Sequence, residues 1–303
     1  MRVADLYQQT TDRIIQQLQD GVPIWTKPWK DSHIKGVGMI PTNLVTGRLY
    51  SGSNILLLWM TATLRGYSSL QFCTYNQANA MGARVKKDEK STPVIFTKHV
   101  LKKDEASGED KAKTVVKTYS VFHVSQLEGV KDEYLHEQQP LDLESQPHRV
   151  REFVAGTGID VRFGFNQACY VPSQDFVKMP AFGAFEDETA FTGVLSHECI
   201  HATSHEKRLD RQLGKRFGDE RYAFEELIAE IGSAFLCARL GYQPSFRSAS
   251  YIESWLKVLK ADNRAIFSAA SYAGHAADWL WKKSFGDADA APEQEEKQLE
   301  AAE

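Results

Sequence analysis

The segment Val194–Thr203 reads VLSHECIHAT and carries the pattern H-E-x-x-H at His197, Glu198 and His201. Residues four apart lie one above the other on a helix face, so two histidines at this spacing can bind one metal ion. A glutamate beside them can accept a proton from water, whose pKa a bound divalent ion lowers to about 7. The pattern therefore predicts a metal site suited to hydrolysis. The alternative is a helix that carries these three residues by chance.

The residues around this pattern favour a buried helix. Apolar side chains recur there at helical spacing. The acidic run 186–188 precedes them, where the positive end of a helix dipole favours negative charge. We therefore expect a helix that begins near this run and contains the whole pattern. Its apolar residues are Ala190, Phe191, Val194, Leu195 and Ile200.

A catalytic zinc site needs a third protein ligand. His205 lies eight residues after His197, about 12 Å along a straight helix, so these two side chains are too far apart to share an ion. Glu226 and Glu230 lie four apart in the stretch 219–240, which is predicted to be an amphipathic helix. Glu226 is the expected third ligand. The apolar stripe beside the two glutamates consists of Leu227, Ile231, Ala234, Phe235 and Ala238.

The neighbouring carboxylates have different expected roles. Glu230 is expected to accept a hydrogen bond from the other ring nitrogen of a ligand histidine, and Glu225 is expected to point away. The alternative is that Glu226 and Glu230 are ordinary solvated helix carboxylates. Two imidazoles and one carboxylate suit one divalent metal, with Zn²⁺ expected and Mn²⁺ as the alternative.

The composition is that of an ordinary globular protein with room for two domains. The chain has 303 residues, of which 42% are hydrophobic and 25% charged. It contains neither a run of 18 apolar residues nor an apolar signal core at its start, so we expect neither membrane insertion nor export. The four cysteines are scattered without a C-x-x-C pair, which favours a reduced, cytoplasmic setting.

Charge is distributed unevenly along the chain. The net charge is -4, yet residues 1–130 carry 17 Lys and Arg against 11 Asp and Glu. A basic N-terminal domain, 1–130, is therefore predicted to bind a polyanion. Beyond it we expect a linker at 131–147, a second domain at 148–286 and an acidic tail at 287–303.

The N-terminal half is expected to be a small α+β domain. Apolar spacing predicts a helix over residues 3–20, ending at Asp20-Gly21. Alternating patterns on either side of a polar turn predict two strands, at 93–101 and 114–124. Two further helices are predicted at 54–65 and 74–81.

Basic and aromatic side chains interleave in this half, as expected of a domain that binds single-stranded nucleic acid through phosphate contacts and base stacking. The alternative for the two tryptophans is core packing, and for the basic cluster it is a solvated loop. The candidate DNA-binding residues are Trp25, Lys27, Trp29, Arg48, Tyr50, Arg84, Lys86 and Lys87.

Several segments together resemble the ArdC-type antirestriction proteins. They are PIWTKPW at 23–29, TNLVTGRLYSGSNILLL at 42–58, TYNQANAMGARVKKDEKSTPVIF at 74–96, VFHVSQLEG at 121–129, and the C-terminal HExxH and YAFEELIAEIGSAFLCARLG segments. The resemblance implies an N-terminal single-stranded-DNA-binding domain and a C-terminal zincin-like, gluzincin-type metallopeptidase domain. It also implies protection of incoming plasmid DNA from host restriction.

Two other functions remain open at this stage. One is a regulatory metalloprotease that cleaves a host protein or a repressor. The other is a non-catalytic DNA mimic, which ranks last because mimicry requires dense negative charge and the first domain is basic.

The sequence also offers candidates for the rest of a peptidase cleft. CYVPSQDFVKMP, at 169–180, resembles the strand that borders the cleft in zincins and pairs with an extended peptide; the alternative is a plain sheet edge. Tyr170, His205 and Tyr222 are candidates for stabilising an oxyanion, and the sequence does not choose among them.

Overall fold

The computed structural model describes residues 2–21, 25, 39–103, 110–134, 146–211, 220–244 and 251–286. The predicted acidic tail and most of the predicted linker lie outside these ranges. The helices are α1 Val3–Gln19, α2 Ser53–Arg65, α3 Tyr75–Ala80, α4 Gln146–Thr157, α5 Glu188–Ala202, α6 Arg221–Leu240, α7 Ile252–Ala261 and α8 Ala265–Phe285. The strands are β1 Thr42–Asn43, β2 Gln71–Thr74, β3 Arg84–Val85, β4 Thr92–Lys103, β5 Asp110–His123, β6 Leu127–Glu128, β7 Asp160–Phe163, β8 Cys169–Val171 and β9 Phe176–Met179.

The N-terminal half is built on a four-stranded sheet of order β1-β2-β5-β4. The helices and strands predicted there correspond to α1, α2, α3, β4 and β5, so the α+β prediction is confirmed. The start of α3 is explained by the residue that caps it. Thr74 caps α3 by accepting the backbone N–H of Gln77, and Gln77 accepts the N–H of Thr74 in return.

Strands β4 and β5 extend far beyond the sheet. β2 pairs with β5 only at residues 121–123, whereas β4 and β5 continue to pair with each other as far as Lys103 and Asp110. Residues 93–103 and 110–120 therefore form a two-stranded ribbon, which we call the β4–β5 arm. At its base, the side-chain amide of Asn54 donates to the carbonyl of Ile95 and accepts the N–H of Ile95, both at 2.8 Å.

The C-terminal half is organised around α6. This helix packs against α4, α5, α7 and α8, and almost every residue from Ala223 to Leu240 is buried. The predicted apolar stripe is present, but α6 is buried on nearly all sides, so the prediction of an amphipathic helix is wrong. Even the polar residues Glu226 and Glu230 are only 6% and 4% exposed.

Helices α5 and α6 are tightly packed at Gly232. A Cβ atom at this position would lie 2.7 Å from Cδ1 and 2.9 Å from Cγ1 of the buried Ile200. Any side chain larger than hydrogen would therefore require Ile200 or the helices to shift. Ile200 lies between His197 and His201 in the sequence of α5, so this contact is close to both histidines along the helix.

The two halves share one hydrophobic core. Trp59 of α2 meets Phe235 of α6 edge-to-face, with 5.7 Å between ring centroids. Helix α1 packs against α7. Trp25 meets Trp255 at 6.1 Å, and the Thr11 hydroxyl donates to a backbone carbonyl beyond α7 at 2.8 Å. Within the described ranges, no helix has the length and apolar character needed to cross a membrane.

Candidate metal centre

Helix α5 positions the two histidines of the H-E-x-x-H pattern. It begins at the predicted acidic run, where the side chain of Asp187 accepts the N–H of Ala190 at 2.6 Å, and it continues to Ala202. One turn apart on the same face, His197 and His201 bring their Nε2 atoms to 3.2 Å from each other. The predicted helix and the predicted pairing of the histidines are both present.

Glu226 of α6 completes a cluster of three potential ligands. Its Oε2 lies 3.4 Å from Nε2 of His197, and its Oε1 lies 3.4 Å from Nε2 of His201. One donor atom from each residue falls within 4.8 Å of the others. The burial of Glu226 and Glu230 does not fit the alternative of ordinary solvated carboxylates.

A second carboxylate lies behind each histidine. Oε2 of Glu230 is 3.6 Å from Nδ1 of His197, as expected for a residue that orients this ring. Oε1 of Glu225 is 3.4 Å from Nδ1 of His201, so the prediction that Glu225 points away is wrong. Consecutive residues of α6 thus contact opposite nitrogens of one imidazole, because α6 crosses α5 beside that ring.

Glu225 is itself held by a cation that the sequence analysis missed. The guanidinium of Arg211, whose side chain is 2% exposed, donates from Nε to Oε2 of Glu225 at 2.9 Å. Arg211 also donates to the carbonyl of Ile200 and the hydroxyl of Thr203. No local pattern around residue 211 indicates this role, which depends on how the chain folds back after α5.

The electrostatics of the cluster suit a cation. Although burial lowers the pKa of His197, hydrogen bonds to Glu226 and Glu230 raise it to about 10. Burial raises the pKa of Glu226, but the two histidines outweigh that effect and hold it well below its usual range. Among the described residues lining the adjoining cavity are four glutamates and neither lysine nor arginine. Two imidazole nitrogens and a carboxylate in negative surroundings match the donor set of a divalent-metal site.

Glu198 lies beside this cluster and lines the same cavity, which has a volume of about 580 Å³. Its Oε2 accepts the backbone N–H of Tyr170 at 2.8 Å. Tyr170 belongs to β8, an outer strand of the sheet ordered β7-β9-β8. The predicted cleft strand is therefore a sheet edge next to Glu198. This position is compatible with a strand that pairs with an extended peptide and also with a plain sheet edge.

The three oxyanion candidates have different surroundings. The Tyr170 hydroxyl donates to Asp175 at 3.0 Å and accepts from Arg208 at 3.2 Å. His205 lies beyond the end of α5, with Nε2 3.9 Å from the Asp175 carboxylate. Tyr222 is 64% exposed and lines the cavity.

The hydroxyl of Tyr222 has a partner that the sequence analysis missed. It lies 3.1 Å from the hydroxyl of Tyr251, which also lines the cavity. The hydrogen bond with Tyr251, followed by burial and the negative charge of Glu226, raises the pKa of Tyr222. Its phenol therefore keeps its proton at neutral pH and can donate it in a hydrogen bond.

The candidate DNA-binding residues are scattered. Trp25 is fully buried against Trp255, so for this residue the core-packing alternative is correct and DNA stacking is wrong. Arg48 and Tyr50 are half-buried, with Tyr50 packed against the core. Lys27 and Trp29 lie outside the described residues. Arg84, Lys86 and Lys87 are exposed on β3 and the following turn.

Two protein-family models match this chain, one in each half. A family model described as the N-terminal domain of anti-restriction factor ArdC matches residues 4–122. A model described as a zincin-like metallopeptidase matches residues 148–272.

Solved structures match nearly the whole chain. The metal-free structure of antirestriction protein ArdC from plasmid R388 is 40% identical, with a TM-score of 0.76, and the match covers 92% of this chain and 98% of that one. The Mn(II)-bound structure of the same protein is 39% identical, with a TM-score of 0.74 and the same coverage.

Two further proteins are similar to most of this chain. The uncharacterised protein y4eC of Sinorhizobium fredii is 38% identical over 286 residues, which is 91% of each chain. DNA primase TraC of Escherichia coli is 34% identical over 298 residues, 90% of this chain but 27% of the primase. With relatives and family models matching both halves, the chain belongs to the ArdC antirestriction family and combines its N-terminal domain with a zincin-like metallopeptidase domain.

Proposed function

We propose that the protein binds single-stranded DNA and protects incoming plasmid DNA from host restriction, and that its C-terminal half is a metal-dependent peptidase. The convergence of His197, His201 and Glu226 beside Glu198 in one cavity carries the peptidase part. Three observations support DNA binding: the family to which the chain belongs, its similarity to a DNA primase, and the excess of positive over negative charge in residues 1–130.

The residues that would hold the ion are His197 and His201, through Nε2, and Glu226 through its carboxylate. When bound, a divalent ion would polarise a peptide carbonyl and lower the pKa of water. The donor set suits zinc, and the manganese-bound relative keeps manganese as an alternative. Glu230 and Glu225 would orient the two rings, because each lies at the Nδ1 side of one histidine.

The remaining cavity residues have roles that follow from their geometry. Glu198 would accept a proton from water, and the N–H of Tyr170 holds its carboxylate in place. The edge of β8 would pair with an extended peptide. Tyr222, backed by Tyr251, would donate a hydrogen bond to the carbonyl oxygen under attack.

Metal content of two matched variants tests the ligand assignment. Glu226→Gln and Glu230→Gln replace buried carboxylates one turn apart on α6. We expect Glu226→Gln to lose its metal and Glu230→Gln to retain it with weaker affinity. Loss of metal only in Glu230→Gln would show that the wrong carboxylate was assigned.

A mobility-shift assay with single-stranded and double-stranded DNA, with and without chelator, tests the DNA part. We expect preferential binding of the single strand, strong weakening by salt, and no effect of chelator. Arg48, Arg84, Lys86 and Lys87 remain proposed contacts.

The second candidate function is a regulatory metalloprotease that cleaves a host protein or a repressor. The histidines, glutamates and tyrosines around one cavity favour a protease, because a metal ion that only stabilises the fold does not need so many polar side chains around an open cavity. Absence of DNA binding together with metal-dependent hydrolysis of a protein would favour this candidate.

A further inference from the structure

Four phenylalanines of the C-terminal half form one group that is partly open to solvent. Phe163 of β7 stacks on Phe191 of α5, with 6.2 Å between ring centroids. Phe182 and Phe185, which lie between β9 and α5, meet the ring of Phe191 edge-to-face at 5.1 Å and 5.3 Å. Phe191 is 8% exposed, but Phe163 and Phe182 are 51% and 55% exposed. We call these four residues the aromatic patch.

The aromatic patch is in line with the metal cluster along α5. Phe191, Val194 and Glu198 are spaced three and four residues apart and therefore share one face of the helix. Val194 and Glu198 line the cavity beside the metal cluster. From Phe191 to Glu198 the helix rises about 10 Å, at 1.5 Å per residue. The patch is therefore two helical turns from the proposed proton acceptor.

Strand β8 leads from Glu198 towards the same end of the sheet. Its Tyr170 donates the backbone N–H to Glu198. Strands β7 and β9 are parallel and end together at Phe163 and Met179, and β8 begins at this end because it is antiparallel to β9. A peptide that pairs with β8 would therefore reach the patch after about 10 Å, which is about three residues of extended chain.

A contiguous group of exposed aromatic side chains indicates a surface that contacts another molecule, whereas single exposed apolar residues are common. The charges nearby favour a peptide over a nucleic acid. Glu186 and Asp187 are exposed within the segment that carries the patch, and the adjoining cavity is lined by glutamates, so both would repel phosphates. Arg162 and Lys178 lie on the opposite face of the sheet from Phe163, because successive residues of a strand alternate between faces.

We propose that the aromatic patch is a substrate subsite of the peptidase. It receives a large apolar side chain, with a lysine or arginine beside it, about three residues from the bond that is cleaved. The inference rests on the proposed peptidase function and names its class of substrate. Pairing with a strand edge gives affinity through the backbone, and side-chain subsites of this kind select one peptide over another.

A double-mutant cycle between the protein and a peptide tests this contact. The probes are quenched fluorescent peptides in which a single phenylalanine occupies each position in turn, and the best of them with that phenylalanine replaced by serine. The proteins are full-length wild type, Phe182→Ala and Tyr75→Ala, each loaded with Zn²⁺ or Mn²⁺. Tyr75 is the matched control, because it is 54% exposed and begins α3 in the other half.

We expect Phe182→Ala to lower kcat/KM about tenfold for the phenylalanine peptide, which corresponds to about 1.4 kcal/mol of lost contact. The serine peptide should change by less than about twofold, and Tyr75→Ala should behave as wild type with both peptides. Mass spectrometry should place the cleaved bond about three residues from the phenylalanine. Because most of the Phe182 side chain is already exposed, the melting temperature should stay at the wild-type value.

Binding of the intact peptides provides a second measurement. Fluorescence anisotropy with metal-loaded Glu198→Ala protein should show tighter binding of the phenylalanine peptide than of the serine peptide. Adding Phe182→Ala to this protein should remove the difference. Equal affinities for the two peptides in Glu198→Ala would contradict the subsite.

The outcomes separate this inference from the proposed function. If wild type with its metal cleaves none of the peptides, the peptidase function fails and the subsite fails with it. If wild type cleaves the phenylalanine and serine peptides equally well, or if Phe182→Ala and Tyr75→Ala lose equal activity, the function stands and the subsite is wrong.

Two other occupants of the aromatic patch have their own signatures. If the patch joined two copies of this chain, size-exclusion chromatography would show a dimer for wild type and a monomer for Phe182→Ala. If the patch bound DNA, Phe182→Ala would bind single-stranded DNA more weakly than wild type. Either result would overturn the inference.

Discussion

Replacing Gly232 by alanine is expected to impair metal binding more than folding. The new Cβ would lie 2.7 Å from Cδ1 of Ile200, so this contact would have to lengthen by about 0.7 Å to reach the 3.4 Å of an ordinary contact. Ile200 is fully buried and lies between the two histidines in the sequence, so we expect part of the shift to be transmitted to α5. Ligands at a metal site must be held within about 0.5 Å of their working geometry.

The expected loss of stability is small because two effects oppose each other. Overpacking of this kind lowers the free energy of unfolding by about 1–3 kcal/mol, whereas exchanging glycine for alanine within a helix raises it by about 1 kcal/mol. The net destabilisation is therefore on the order of 0–2 kcal/mol. Metal affinity should fall about 10- to 100-fold, the range seen when residues that orient metal ligands are removed.

Competition with a chromophoric chelator measures the affinity, and urea unfolding of the metal-free protein measures the stability. Gly156→Ala is the matched control. It crowds the backbone at Ser284, where α4 meets α8, a contact that contains none of the proposed ligands. Gly156→Ala should lose stability and keep its metal affinity. Wild-type affinity in Gly232→Ala, or an equal loss in both variants, would refute the reasoning.

Three other predictions concern single residues. Glu198→Ala should abolish peptide hydrolysis while metal content and DNA affinity stay at wild-type values, and a parallel loss of metal would contradict its assignment as a proton acceptor. Arg211→Met should lower metal affinity about 10- to 100-fold, measured by chelator competition, because Glu225 loses the cation that holds it; an unchanged affinity would contradict this. His123 is fully buried, which lowers its pKa to about 4 from 6.5, so the stability it contributes is present above pH 6.5 and lost as pH falls through 4. That loss is about 3 kcal/mol, and urea unfolding of wild type and His123→Gln between pH 7 and 4 should show a weaker pH dependence in the variant.

The metal cluster was largely predictable because its information is local. The spacing of His197 and His201 requires only a helix, and Glu226 stands out as a carboxylate beside an apolar stripe. Glu225 was misjudged because its contact depends on how α5 and α6 cross, which no single-helix pattern contains. The stretch that contains Glu226 and Glu230 was predicted to be amphipathic, but packing of α4, α5, α7 and α8 around α6 buries it on nearly all sides, and a single-helix pattern does not contain that packing.

The DNA-binding candidates were harder to predict for a different reason. A tryptophan in a basic segment can stack on a base or fill the core, and the burial of Trp25 is decided by Trp255, more than 200 residues away. Strands β4 and β5 were predicted from alternation.

The core shared by the two halves has a consequence for inheritance. A gene fragment encoding only residues 1–130 would produce a protein with the apolar surfaces of α1 and α2 exposed to water, since their partners lie on α6, α7 and α8. Recombination that separates the halves would therefore be selected against, even if each half had a use by itself. We expect lineages to exchange this stretch as one piece, and the longer primase TraC is similar to 90% of this chain.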